Sequence, residues 1–273
     1  MIEIDSLEEL KSIELEIMKK IHMFCESNGI RYYLAYGTLI GAVRHKGFIP
    51  WDDDIDIFMP RPDYERFINE FQFFASQNNL NIASNKTKPY MCRAFAKICD
   101  SRTIQFEPKY KDKEPRGVFV DVWPLDGYPK TWIGRKLHQC ILTVEFIILY
   151  ASLTKIEYIP QKNKLKRLLI RIFRNTDSEK LLKKFEKNTK KYSFDDSDWV
   201  MCSSAKPQMF KKEWFKDRIL LNFEDAKFYA PVGYDEYLRC RYGDYLKLPP
   251  KEEQNPHHVI NTYWKEDTDE NPN

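Results

Sequence analysis

Residues 35–57 read Ala-Tyr-Gly-Thr-Leu-Ile-Gly-Ala-Val-Arg-His-Lys-Gly-Phe-Ile-Pro-Trp-Asp-Asp-Asp-Ile-Asp-Ile, and most of the argument about the fold starts from them. Residues 30–35, rich in Tyr and Ile, read as a buried strand, and Gly37-Thr38 turns the chain into a short helical segment. A glycine there lets backbone approach a ligand, and the helix start offers free N–H groups and a positive dipole end to a phosphate. The polar loop Arg44-His45-Lys46-Gly47 can fold over a diphosphate, with Arg44 best suited to bidentate contact, or can simply be solvated. Beyond it, Asp54, Ile55, Asp56 and Ile57 alternate as a strand does. Asp54 and Asp56 then leave one face with Cα atoms about 7 Å apart, while Ile55 and Ile57 enter the core. Two carboxylates aimed at one spot repel each other, and a hard cation such as Mg²⁺ relieves the repulsion. The competing reading is a solvated acidic turn. Asp52 and Asp53 precede the alternation and read as loop or supporting groups.

Working outward, residues 117–123 form an apolar strand in which Asp121 is costly unless it is paired or bound to metal. With Asp54 and Asp56 it completes a triad of the type that serves phosphoryl and nucleotidyl transfer. Trp123, two residues on, shares its face and can wall a quaternary ammonium through cation–π attraction; Trp51 and Tyr36 are rivals for that role, and core packing is the alternative for all three. A strand over 91–98 carries Lys97, which either snorkels outward or reaches a donor phosphate.

At the N-terminus, Ser6 and Glu9 form a capping box ahead of Leu10, Ile13, Ile17, Ile21 and Phe24, a helical stripe that Asn28-Gly29 ends. Pro62-Asp63 opens a second helix carrying Phe67, Ile68, Phe71 and Phe74. From Trp132 to about residue 188 the chain reads as helical and increasingly basic. The apolar run 140–151 is too short to span a bilayer and is interrupted by Glu145. With the cationic, aliphatic stretch 162–174, which includes Lys164, Lys166 and Arg167, it either seats the protein on an anionic membrane or packs on the catalytic core with its cations in water.

The 273 residues, 42% hydrophobic and 31% charged, suit a folded globular enzyme, and a net charge of +3 gives no reason to expect nucleic-acid binding. Six scattered cysteines without a CxxC pair read as reduced thiols. With a polar, helical N-terminus they point to cytoplasmic residence, with peripheral contact at the inner face of the membrane as an option. The expected architecture is α+β: a mixed sheet with flanking helices over 1–130, a helical region over 131–220, and a segment over 221–273 returning to the core. His257 and His258 in that segment are candidate proton or phosphate partners.

The 35–57 stretch closely resembles the signature of the LicD family, related to fukutin. The resemblance continues in Asp121-Val-Trp-Pro-Leu-Asp-Gly127, in residues 242–250 (Tyr-Gly-Asp-Tyr-Leu-Lys-Leu-Pro-Pro) and in His257-His258, while residues 130–220 carry no such motif. It implies a nucleotidyltransferase-like fold and transfer of phosphocholine, or a related phospho-alditol group, from CDP-choline or another CDP-linked donor to a sugar hydroxyl, typically of a teichoic acid or lipopolysaccharide, with CMP released. It also implies Mg²⁺, with Mn²⁺ as substitute, held by Asp54 and Asp56, and Asp121 as third ligand or general base. Two alternatives stand beside it: a nucleotidylyltransferase that uses a nucleoside triphosphate, and a non-catalytic module that binds membrane or glycan.

Overall fold

The computed structural model describes residues 1–111, 114–202, 208–254 and 261–266. Strand β1 (Ile2–Glu3) leads into α1 (Leu7–Asn28), where Ser6 Oγ accepts from the Glu9 amide at 3.3 Å. The other half of the expected capping box does not form, because the Glu9 carboxylate accepts from Trp264 Nε1. Gly29 ends α1 at φ 62°, a left-handed conformation that costs glycine no Cβ clash.

The strand expected at 30–35 contracts to β2 (Tyr33–Leu34), followed by α2 (Tyr36–Arg44), β3 (Ile55–Pro60) and α3 (Arg61–Gln77). Asp54 therefore lies just ahead of β3 and not within it. After β4 (Leu80–Ala83), β5 (Ala96–Asp100) starts later than the expected 91–98 strand. Backbone donors there are taken up locally, with the Met91 amide on Ser84 O and the Arg93 amide on Met91 O. Strands β6 (Thr103–Phe106) and β7 (Phe119–Gly127) follow. β7 runs on through Pro124, where a stop was expected. Proline is tolerated because β5 pairs only as far as Val122 and β8 only from Leu125, so one edge of β7 has no ladder at that point.

The helical stretch is three helices, α4 (Trp132–Leu153), α5 (Lys164–Phe173) and α6 (Ser178–Thr189), the last capped by Asp177 Oδ1 on the Glu179 and Lys180 amides. Still within 131–220 come β8 (Trp199–Cys202) and β9 (Gln208–Lys211), which join the main sheet, and the start of β10 (Arg218–Phe223). β11 (Ala226–Pro231), α7 (Tyr234–Tyr242) and β12 (Asn261–Trp264) follow among the described residues.

Seven strands form the main sheet, in the order β2-β3-β7-β5-β4 with β8 and β9 added along the far end of β7. β3 and β7 pair in parallel; the other ladders of this sheet are antiparallel. β10 and β11 form a hairpin, and β12 returns to lie between β1 and β6. One large core joins α1, α2 and α3 to the sheet, with Ile17, Ile21, Leu39, Ile57, Phe67 and Val120 all buried. A second core between α4, α6 and the β8 end contains Leu142, Leu149, Leu182, Phe185 and Met201. Arg61 opens α3 and clamps Asp126 of β7 through two hydrogen bonds of 2.7 Å, fixing helix to strand in the interior.

Candidate active site

The ladder registers place the key side chains. Asp56 on β3 stands opposite Asp121 on β7, and Asp121 stands opposite Lys97 on β5, so three ionisable groups cross the sheet in one row on one face. Lys97 is buried and points inward. Its Nζ lies 2.9 Å from Asp121 Oδ1 and 3.7 Å from Glu107, a carboxylate that also pairs with Arg116. Trp123 donates from Nε1 to Asp56 Oδ1 at 2.7 Å, while its indole stacks on Phe95 with ring centroids 3.8 Å apart and meets Tyr36 edge-on. Trp123 therefore does two things: it orients a candidate ligand and presents an aromatic face.

The turn at Gly37-Thr38 is built into the same site. Thr38 Oγ1 accepts from the Asp56 amide at 2.8 Å and so anchors the start of β3 to α2. A Cβ on Gly37 would stand 2.5 Å from Asp52 Oδ2, so only glycine admits that carboxylate. Tyr36 just before it adopts φ 45°, a left-handed conformation uncommon for a bulky residue; its amide, the first of α2, donates to the Tyr237 hydroxyl at 3.4 Å, and the N-cap residue Ala35 has no side chain to cap the helix. Asp52, Asp53 and Asp54 each offer a ligand atom within 4.8 Å of the others, so the two aspartates read as supporting groups sit in the same cluster as Asp54. Lys11 of α1 holds the preceding loop by donating to Ile49 O and Pro50 O.

A sixth acidic residue, facing these five aspartates, escaped the sequence reading. Glu14 is buried on the inner face of α1, and among the described residues its Oε2 has no hydrogen-bond partner. Its signal was legible: Glu14 follows Leu10 by four and precedes Ile17 by three, so it lies within the apolar stripe.

Burial pushes the Glu14 carboxyl well above its usual range, and Asp54, Asp53 and Asp52 push it further. Burial does the same to Asp56, with Asp54 and Asp121 adding to the effect. For Asp121, burial outweighs the pull of Lys97, and the carboxyl rises to about 6. Glu107 goes the other way: despite burial, Lys97 and Arg116 bring it down to about 2. Glu14, Asp56 and Asp121 thus sit in a crowd of negative charge. A buried, unpartnered Glu14 oxygen and an all-oxygen donor set fit a hard divalent cation.

Two hollows reach the row. A cleft of about 730 Å³ is lined by Gly37, Arg44, Trp51, Asp54, Asp56 and Tyr242, among others. Arg44 is tied at its rim, donating to His45 Nε2 and to Tyr245 O. A second cavity of about 260 Å³ reaches Asp121 and Lys97 and is walled by Phe95, Tyr110, Trp123 and Tyr150. His257 and His258 lie outside the described residues.

A mixed sheet that carries a row of carboxylates beside a helix N-terminus, open to a cleft, is an arrangement suited to an enzyme that handles phosphate esters. The comparisons sharpen this. Residues 29–147 match the domain described as LicD/FKTN/FKRP, nucleotidyltransferase domain. Over 269 residues the chain is 35% identical to the lipopolysaccharide cholinephosphotransferase LicD of Haemophilus influenzae, covering 94% of this chain and 98% of that protein. A segment of 32 residues is 53% identical to the human ribitol 5-phosphate transferase FKRP, 12% of this chain and 6% of that one. Mannosyltransferase regulator 4 of Saccharomyces cerevisiae is 23% identical over 137 residues, 45% of this chain and 11% of that protein. The chain belongs to the LicD family and is a transferase.

Proposed function

We propose that this transferase moves phosphocholine from CDP-choline to a hydroxyl of a cell-surface glycan, a lipopolysaccharide or teichoic acid precursor, and releases CMP. The observation that carries the reading is the cross-strand row Asp56–Asp121–Lys97, flanked by Asp54 and open to the cleft. The likeness to a lipopolysaccharide cholinephosphotransferase along nearly the whole chain supports the head group and the glycan acceptor. A divalent cation, Mg²⁺ or Mn²⁺ in its place, would be held by Asp54 and Asp56 with Asp52 and Asp53 beside them, which leaves Asp121 free to act as base, and bound there it supplies charge neutralisation for the diphosphate.

The chain's own groups do the rest. Backbone N–H groups at Gly37 and Thr38 and the Arg44 side chain meet the diphosphate in the cleft. Asp121, whose carboxyl is raised to about 6, takes the proton of the acceptor hydroxyl, with Lys97 at 2.9 Å holding the carboxylate in place. The acceptor oxygen forms a bond to the choline-bearing phosphorus as the bond from that phosphorus to the CMP oxygen breaks. Phe95 and Trp123 wall the neighbouring cavity and give the trimethylammonium group an aromatic face. The reading places the reaction in the cytoplasm, in keeping with six free cysteines.

Incubating the protein with Mg²⁺, a delipidated glycan acceptor and a panel of CDP-choline, CDP-ethanolamine and CDP-ribitol tests this. CMP release and phosphocholine on the glycan are expected with CDP-choline, and neither is expected from Asp56→Asn. Pyrophosphate release from a nucleoside triphosphate, with no CMP from any CDP donor, would make the protein a nucleotidylyltransferase instead.

A further inference from the structure

Helices α4 and α5 each turn an apolar stripe outward as well as inward. On the inward side of α4, Leu142 and Leu149 pack in the second core, and Glu145 is held by Asn188 Nδ2 at 2.8 Å and Lys184 at 3.3 Å. The outward side carries Ile133, Leu137, Ile141, Val144 and Ile147, spaced by four, four, three and three, with relative exposures of 73, 62, 41, 49 and 41%. Trp132 stands exposed at its N-terminal end. α4 is long and apolar enough to cross a membrane by composition, but one side is a protein interface with a buried, hydrogen-bonded glutamate. That arrangement suits lying along a surface.

α5 is the stronger signal. Its one buried residue is Ile170, which packs with Ala151 and Ile159. Leu165, Leu168 and Ile172, at spacings of three and four, are 70, 51 and 58% exposed. A water-facing helix has no reason to aim three aliphatic side chains outward in register. Beside this stripe Gln161, Lys164, Arg167 and Arg171 line a groove of about 460 Å³. Arg167 is engaged there, donating to Ile156 O and Ile159 O. Among the described residues no carboxylate pairs with Lys164 or Arg171. Lys162, Lys166 and Arg174 extend the same positive charge, with no acid between residues 158 and 176.

We infer that the α4–α5 face is a monolayer-docking surface: the exposed aliphatic stripe enters the acyl boundary of a bilayer, and Lys164 and Arg171 take the phosphates of anionic phospholipid headgroups. Charge decides the occupant. An apolar stripe bordered by cations, in a stretch with no acid from residue 158 to 176, is complementary to an anionic lipid surface, whereas a second copy of this face would bring like charges together. The inference goes beyond the transfer reaction and does not depend on it.

Vesicle sedimentation tests it with the full chain. The protein should pellet with vesicles of phosphatidylglycerol and phosphatidylcholine in equal parts, weakly with phosphatidylcholine alone, and less as salt rises. Leu165→Ser/Leu168→Ser/Ile172→Ser and Lys164→Glu/Arg171→Glu should each weaken partitioning by about tenfold or more while melting as the wild type does, since all five side chains sit at the surface. The inference is overturned if the wild type ignores anionic vesicles or if both variants pellet equally well. It is overturned equally by a vesicle-free dimer in sedimentation velocity that the triple serine variant dissolves, since the face would then be a protein interface.

Discussion

Asp56 receives the Trp123 indole N–H, shares a ladder rung with Asp121, and has its own amide tied to Thr38. Removing only the indole donor isolates one of these contacts: Trp123→Phe keeps a ring on Phe95 and should lower kcat by about tenfold through a misoriented Asp56, with the fold intact by circular dichroism. Gly37→Ala forces a Cβ against Asp52 and should abolish donor binding, read by calorimetric titration with CDP-choline, while costing stability on the order of 1–3 kcal/mol. Glu14→Gln removes one buried charge from the crowd and keeps the shape. In the metal-free protein it should raise stability by about 1 kcal/mol in urea unfolding. At this scale the sequence displayed the Asp-x-Asp pair and Asp121 openly, because charges inside apolar alternation stand out. It hid the partnership of Lys97 with Asp121, which depends on how β5 registers against β7, and that register is a tertiary fact.

β7 is the element on which the site depends, since it pairs with β3, β5 and β8 along its nine residues and carries Asp121, Trp123 and Asp126. The Arg61–Asp126 clamp ties it to α3 in a fully buried setting. Asp126→Ala leaves the guanidinium without its partner and should cost about 3–5 kcal/mol in urea unfolding, whereas Lys19→Ala, which breaks an exposed pair with Asp225, should cost under about 1 kcal/mol. Element types were readable where periodicity was strong, as in α1 and α3. Boundaries failed where backbone donors found local partners, as around Met91, and where Pro124 happened to fall between two ladders. β8 and β9 were invisible as members of the main sheet: they follow a long helical stretch, and β8 pairs with β7 from more than seventy residues away in sequence while β9 pairs with β8, about which local pattern says nothing.

Across the whole molecule, the clustered carboxylates link stability to pH and, on the proposed reading, to a bound cation. Glu14, Asp56 and Asp121 all hold protons more tightly folded than unfolded. Their contribution is present below the unfolded pKa and is lost as pH rises through the folded one, for Asp121 between 3.8 and about 6. The metal-free protein should therefore have lost the Asp121 part of this contribution by about pH 6, and transfer activity should fall as the pH drops through the same region and Asp121 becomes protonated. A cation that replaces those protons reverses the loss at high pH. The most direct measurement is a thermal-unfolding titration with Mg²⁺ at about pH 8, for wild type and Asp56→Asn side by side. The account predicts a saturable rise in Tm for the wild type, and an Asp56→Asn protein that starts more stable without metal and barely responds to it. A wild type indifferent to Mg²⁺, or an Asp56→Asn variant that responds as fully, would contradict the claim that these carboxylates are gathered to hold a divalent ion.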